Sequence, residues 1–187
     1  MKSSREWGKV LVTAQNDAVQ LVEGRDGQST LRVGSLYLHS RYAPEQEAQR
    51  LIESAALDTS RPVLVIGLGL GYHVKEMLAQ GMTVAVAEPD PAVARLALEG
   101  PMKDADFLLG VGDVDEMAAT PGFQDFAGRL PQVLVHPATA RLHPGYVEVV
   151  SAALSKRALA GQRLSVAIVG PLYGGSLPIT GYLADAF

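Results

Sequence analysis

The chain has 187 residues, of which 48% are hydrophobic and 19% charged, with a formal net charge of −4 and an isoelectric point near 5.5. This composition excludes a disordered polymer and a membrane-embedded bundle, and with no Lys/Arg cluster it offers nucleic acid no electrostatic footprint. The absence of cysteine removes disulfides, thiolate nucleophiles and sulfur-ligated metal sites together. A chain of this length buries about 70% of its surface on folding, enough for a full core. The opening MKSSREWGKV lacks the apolar stretch of a signal peptide, and no apolar run reaches membrane-spanning length. A cytoplasmic protein with a small soluble ligand is expected, without nucleic-acid or membrane partners.

Residues 10–13, 18–23, 29–33 and 35–39 are short β-leaning pieces separated by Gln15-Asn16-Asp17, by residues 24–27 and by Gly34. That spacing predicts one or two hairpins, so residues 1–43 form a β-hairpin extension. Its exposed edge offers a second copy a place to pair, a route to a homo-oligomer. The period then changes: Ala48, Leu51, Ile52 and Ala55 fall at i, i+3, i+4 and i+7 within residues 44–57, with Pro44 suited to a first helical turn.

From Pro62 onward strand-like and helix-like segments alternate. Strands are expected at 63–66, 83–87, 107–111, 133–136 and 164–169. Helices are expected at 72–80, 91–99, 114–119 and 145–160, ended by Gly81, Gly100-Pro101, Pro121-Gly122 and Gly161 respectively. The alternation predicts an α/β fold of three α/β/α layers, a Rossmann-like domain over residues 44–162 with a parallel sheet. Residues 163–187 are either the last strand and helix of that sheet or the start of a further domain.

The first of these strands runs into a glycine turn, VLVIGLGLGYHV, in which Gly67, Gly69 and Gly71 let backbone N–H groups at a helix start approach a ligand. The dinucleotide fingerprint wants glycine where Tyr72 stands, which disfavours NAD. Glu88 follows the second strand, about 20 residues on, where a carboxylate can accept from both hydroxyls of a ribose. Asp113 follows the third. Three signals at the carboxyl ends of three successive strands converge on one crevice, the place where open parallel sheets bind ligands. The plainer alternative is that the glycines serve tight strand-to-helix packing and that the acids, Asp90 included, cap helices.

His136 lies at the rim after the fourth strand, where a neutral imidazole can act as a general base, or can cap a helix or fill a loop. His39, His73 and His143 carry less support. The four histidines lack the close spacing of a helix-borne zinc site, so no metal is expected.

The glycine turn resembles the first motif of class I S-adenosylmethionine-dependent enzymes. That resemblance implies a methyltransferase-like sheet, with Gly67, Gly69, Gly71 and Tyr72 at S-adenosylmethionine or a related nucleotide, Glu88 on the ribose and Asp113 at the adenine amino group. More distantly, VLVIGLGLGYHVKEML, VAVAEPD and GVGD after a hairpin region resemble the polyamine synthases (aminopropyltransferases). Their turn carries an aspartate where Leu70 stands, and no acid follows the fourth strand here, so the likeness implies the fold rather than aminopropyl transfer.

HSRYAPEQEAQRLIE followed by VLVIGLGLGYHV resembles the N-terminal module of large bacterial proteins of the motility-accessory-factor and spore-maturation glycosyltransferase kinds. LSVAIVGPLYGGSLPITGYLADAF resembles the opening strand, loop and helix of the transferase that follows it. Ala43 departs from that pattern, which has a helix-capping aspartate there. The resemblance implies a nucleotide- or S-adenosylmethionine-type binding module at the front of a larger glycosyltransferase-like protein. Gly170, Gly174, Gly175 and Ser176 would then belong to a nucleotide-sugar site completed elsewhere, unless that loop is only another strand-to-helix connection. The alternatives are a small S-adenosylmethionine-dependent methyltransferase or aminopropyltransferase-like enzyme, and a nucleotide-sugar-binding domain in its own right.

Overall fold

A computed structural model describes residues 1–25 and 27–159. In chain order the elements are β1 (Lys2–Ser3), α1 (Ser4–Val10), a 3-10 turn (Leu11–Thr13), β2 (Val19–Glu23), β3 (Ser29–Val33), β4 (Leu36–Tyr37) and α2 (Pro44–Ala55). There follow β5 (Val63–Ile66), α3 (Tyr72–Ala79), β6 (Val84–Glu88), α4 (Pro91–Glu99), β7 (Leu108–Val111), α5 (Val114–Ala119), α6 (Pro121–Gly128), β8 (Gln132–Val135), α7 (Pro137–Leu142) and α8 (Pro144–Leu159).

The main sheet has the order β1-β7-β6-β5-β8, with β5 to β8 mutually parallel and β1 antiparallel on the edge. The chain begins the parallel part at β5, moves outward through β6 and β7, and returns to β8 on the far side of β5. That reversal creates a topological switch point between β5 and β8, open at their carboxyl ends. Four consecutive apolar residues in β5 require cover on both faces, and they have it. Val63 and Val65 pack with Ile52, Val74, Met77 and Ala94 on one side. Leu64 and Ile66 pack with Phe123, Phe126, Val147 and Val150 on the other. Full burial of each of those phenylalanines contributes about 2–3 kcal/mol. The result is the expected Rossmann-like, three-layer α/β domain.

Residues 10–13 depart from expectation. They end α1 and form the 3-10 turn rather than a strand, because Trp7 and Leu11 are drawn onto the main core and Trp7 Nε1 donates to Leu109 O at 2.7 Å. Two helices were also concealed by proline. Pro121 and Pro137 each sit in the first turn of a helix, where the missing N–H is no loss, so α6 and α7 begin where the sequence suggested a break or a loop. The expected strand at 164–169, the loop carrying Gly170, Gly174, Gly175 and Ser176, and the whole of 163–187 lie outside the described residues. Among the described residues no helix is long and apolar enough to cross a membrane.

The hairpins form a second, antiparallel sheet, β2-β3-β4. It does not stand off from the domain. Leu31 and Leu38 pack with Ala48, Leu70, Tyr72, Val93 and Ala138, which brings this small sheet down over the carboxyl ends of β5 and β8. At the start of α2, Ala43 stands at the N-cap without a side-chain cap, and the approach to the helix is held instead by Ser40 Oγ, which accepts from Tyr42 N and Ala43 N at 3.2 Å, and by Glu47 Oε2, which accepts from Ser40 N at 2.7 Å.

Candidate functional site

The glycine turn has the backbone its sequence demands: Gly67, Gly69 and Gly71 have φ of 98°, 53° and 82°, a region that side chains with a Cβ adopt at a cost. What the glycines make room for is the protein itself. A Cβ on Gly67 would collide with Thr139, one on Gly69 with the His39 ring, and one on Gly71 with Met102.

The N–H groups of the turn are engaged from within as well. Leu68 N donates to Glu88 Oε2 at 2.6 Å, and Leu70 N donates to His39 Nε2 at 2.7 Å. Glu88 therefore points at the turn, as a ribose-binding acid must, but it is only 2% exposed and its second oxygen accepts from Asp90 N at 2.9 Å. Burial pushes its carboxyl up to about 7, against the pull of the Asp90, Leu68 and Gly69 amides and with the Asp90 charge adding to the rise.

The Tyr72 ring stands edge-on to the His39 ring, with centroids 5.1 Å apart, and its hydroxyl donates to Ser29 O at 2.7 Å, tying α3 to the hairpin sheet. Asp113 lies in a different environment. It is exposed and caps α5, accepting from Glu116 N at 2.9 Å, while Asp90 caps α4 by accepting from Ala92 N at 2.8 Å. Gly112, beside Asp113, has φ 76° with open space where a Cβ would stand. Tyr146 of α8 reaches toward this part of the rim, and its buried hydroxyl has no hydrogen-bond partner among the described residues. Burial, then the Glu88 and Asp113 charges, push that hydroxyl above the usual tyrosine range.

One grouping is illegible from spacing. His39 from the end of the hairpin sheet, His73 from the first turn of α3 and His136 after β8 converge on the switch point, all buried. Ring centroids lie 5.0 Å apart for His73 and His136, which stack at 19°, 5.0 Å for His39 and His136, and 6.2 Å for His39 and His73. One ring nitrogen from each lies within 4.8 Å of the others. The sequence spacing of the histidines does lack a helix-borne pattern, yet the fold brings three of the four together from three separate elements. Burial holds His39 down to about 3 and His73 to about 4, and holds His136 well below the usual imidazole value, with neighbouring imidazoles reinforcing the fall at His39 and His136. All three are neutral at pH 7. Topology supplied the missing signal: His73 and His136 each follow the carboxyl end of one of two adjacent parallel strands, β5 and β8.

Strand order and the two-sided cover of helices define a Rossmann-like α/β fold with a parallel-dominated central sheet. No protein-family model matches the chain. Residues of the chain are 43% identical over 84 positions to an uncharacterized protein of Treponema pallidum (strain Nichols), a match over 42% of this chain and 28% of that protein. Among solved structures, the chain is similar to the MAf glycosyltransferase from Magnetospirillum magneticum AMB-1, with a TM-score of 0.50 and 13% identity, over 86% of this chain and 34% of that one. It also aligns with MnmC2 from Aquifex aeolicus at a TM-score of 0.40 and 13% identity, over 79% of this chain and 63% of the other. The chain thus spans about a third or less of the Treponema and Magnetospirillum proteins.

Proposed function

We propose that the chain is a Rossmann-like module of a larger glycosyltransferase-type protein, one whose cofactor turn is occupied from within and which serves assembly rather than methyl transfer. The observation that carries this reading is the pair of bonds from Leu68 N and Leu70 N to the buried Glu88 and His39 side chains. A ligand phosphate or carboxylate reaches such a turn through those same N–H groups. Displacing Glu88 and His39 would leave buried polar groups without partners, at about 1–3 kcal/mol each.

A second reading, an adenosyl-ligand site, has its own support: the Glu88 carboxylate lies against the turn, and Asp113 opens beside it after the next strand. In that reading Glu88 releases Leu68 N and accepts from the ribose hydroxyls. Calorimetry of the chain with S-adenosylhomocysteine, NAD and a uridine-diphosphate sugar separates the two. The module reading expects no heat from any of them at micromolar concentration. Micromolar binding of S-adenosylhomocysteine, about 8 kcal/mol, that disappears in Glu88→Gln would overturn it in favour of the second.

A further inference from the structure

Of the three buried histidines at the switch point, His39 also closes the glycine turn in the module reading, but the role assigned to the trio rests on the placement of the three rings and stands whether or not that turn takes a ligand. We infer that His39, His73 and His136 form a binding site for one divalent transition-metal ion, of the kind that takes imidazole nitrogen, with Zn²⁺ as the reference ion.

The ligand set comes from three separate elements, so the fold itself assembles it. Tetrahedral zinc with imidazole at about 2.0–2.1 Å sets ligand nitrogens roughly 3.4 Å apart. Nitrogens already within 4.8 Å of one another close to that spacing through small ring movements. The imidazoles are buried and neutral, the form that ligates.

Their outer partners also match what metal-bound histidines use, a backbone carbonyl or a polar group that fixes the ring. His73 Nε2 lies 3.1 Å from Gly67 O, and because a carbonyl only accepts, Nε2 carries the hydrogen and leaves the Nδ1 lone pair free. His136 Nδ1 faces Thr139 Oγ1 at 3.4 Å. The backbone of His39 is held on both sides by Thr30, whose hydroxyl donates to His39 O at 2.9 Å and accepts from His39 N at 3.1 Å.

Three histidines leave a fourth coordination position for water or an incoming oxygen. Occupancy also reaches the glycine turn. A neutral imidazole has a single nitrogen lone pair, and in the metal-free chain that of His39 accepts from Leu70 N. Ligation withdraws it, whichever way the ring turns, so metal binding frees Leu70 N–H at the mouth of the turn. An ion at the trio and a ligand oxygen at Leu70 N–H are therefore coupled favourably.

The test uses the untagged full chain stripped with a chelator, titrated with Co²⁺ and then with Zn²⁺. The expected result is one ion per chain, with the intense visible absorption of tetrahedral Co²⁺ displaced by Zn²⁺. His73→Ala and His136→Gln should each weaken binding by at least about 100-fold, and Thr139→Val, an isosteric change to an outer partner, by about 10-fold. His143→Ala, outside the trio, should leave it unchanged. Exchange of the Leu70 amide should speed up when Zn²⁺ is added. Two results overturn the assignment: no tetrahedral Co²⁺ spectrum from the wild-type chain, or affinity that survives both His73→Ala and His136→Gln in variants whose circular dichroism shows them folded.

Discussion

Two glycine-bearing turns at the carboxyl ends of the sheet share an apparent purpose and serve different ones. The turn after β5 is sealed: its three glycines face Thr139, His39 and Met102, and two of its N–H groups end on buried side chains. The turn after β7 is open: among the described residues Gly112 has nothing against it, and Asp113 is exposed. Both turns carry positive-φ glycine, both precede a helix, and both follow a parallel strand. The difference lies in the hairpin sheet, which caps the first turn and brings His39 to it. A glycine-rich turn records that something comes close to the backbone; it does not record whether that something is a ligand or the protein.

The largest expected break in the comparison is with acid, because the sealed side holds the buried histidines. Their folded-state values lie below the ordinary value near 6.5, so as pH falls past 6.5 the unfolded chain takes up protons that the folded chain refuses, and stability is lost. Glu88 acts with the opposite sign. Raised from 4.5 to about 7, it stays protonated in the folded chain between those values and favours folding as pH falls through them. Each group contributes about 1.4 kcal/mol per pH unit, so three histidines against one glutamate leave a net loss on the order of 3 kcal/mol per unit between pH 6 and 4.5. Urea unfolding of metal-free protein across that range measures it. A stability that is flat or rises toward pH 4.5 would remove the buried, neutral trio.

Next is the contrast between Gly69→Ala and Gly112→Ala. Both lose about 1 kcal/mol to a positive φ, but only the first drives a Cβ into His39. A total of about 3 kcal/mol is expected for Gly69→Ala, against about 1 for Gly112→Ala. In a His39→Ala background the excess at Gly69 should largely vanish, a coupling read by a double-mutant cycle in urea.

The two acids should separate in the same way. Glu88→Ala strands the Leu68 and Asp90 amides and is expected to cost about 3 kcal/mol. Asp113→Ala removes one exposed helix cap and is expected to cost about 1 kcal/mol. Equal effects would mean that Glu88 is as solvated as Asp113. The smallest effect is Tyr146→Phe, which deletes a hydroxyl that lacks a partner among the described residues and should leave the unfolding midpoint unchanged or slightly raised.

How much of this was legible depended on how local the signal was. The run of β5, the glycine turn, α3, β6 and α4 could be read because each segment carries its own period and its own stop, and the structure follows those bounds to within a residue or so. Pro121 and Pro137 misled because a proline that ends one helix and a proline that starts another look alike without the partner elements. Residues 10–13 misled because their β-leaning composition was overridden by packing of Trp7 and Leu11 on the main core.

At the site, Glu88 was found by its place after a strand, and its direction toward the turn followed. Its enclosure did not follow, since that depends on His39 and on a hairpin sheet whose docking is a matter of tertiary contact. The histidine trio was missed because a helix-borne spacing was the wrong template for ligands carried by three different elements.

The central claim is that the glycine turn is closed by the chain's own side chains. Amide hydrogen exchange of metal-free, ligand-free protein, resolved at Leu68 and Leu70, tests it most directly. Both amides are expected to exchange as slowly as those of Val65 and Val86 in the buried strands, opening only with the whole domain. Exchange at Leu68 and Leu70 as fast as at Asp113, in the open turn, would contradict it and return the crevice to a ligand.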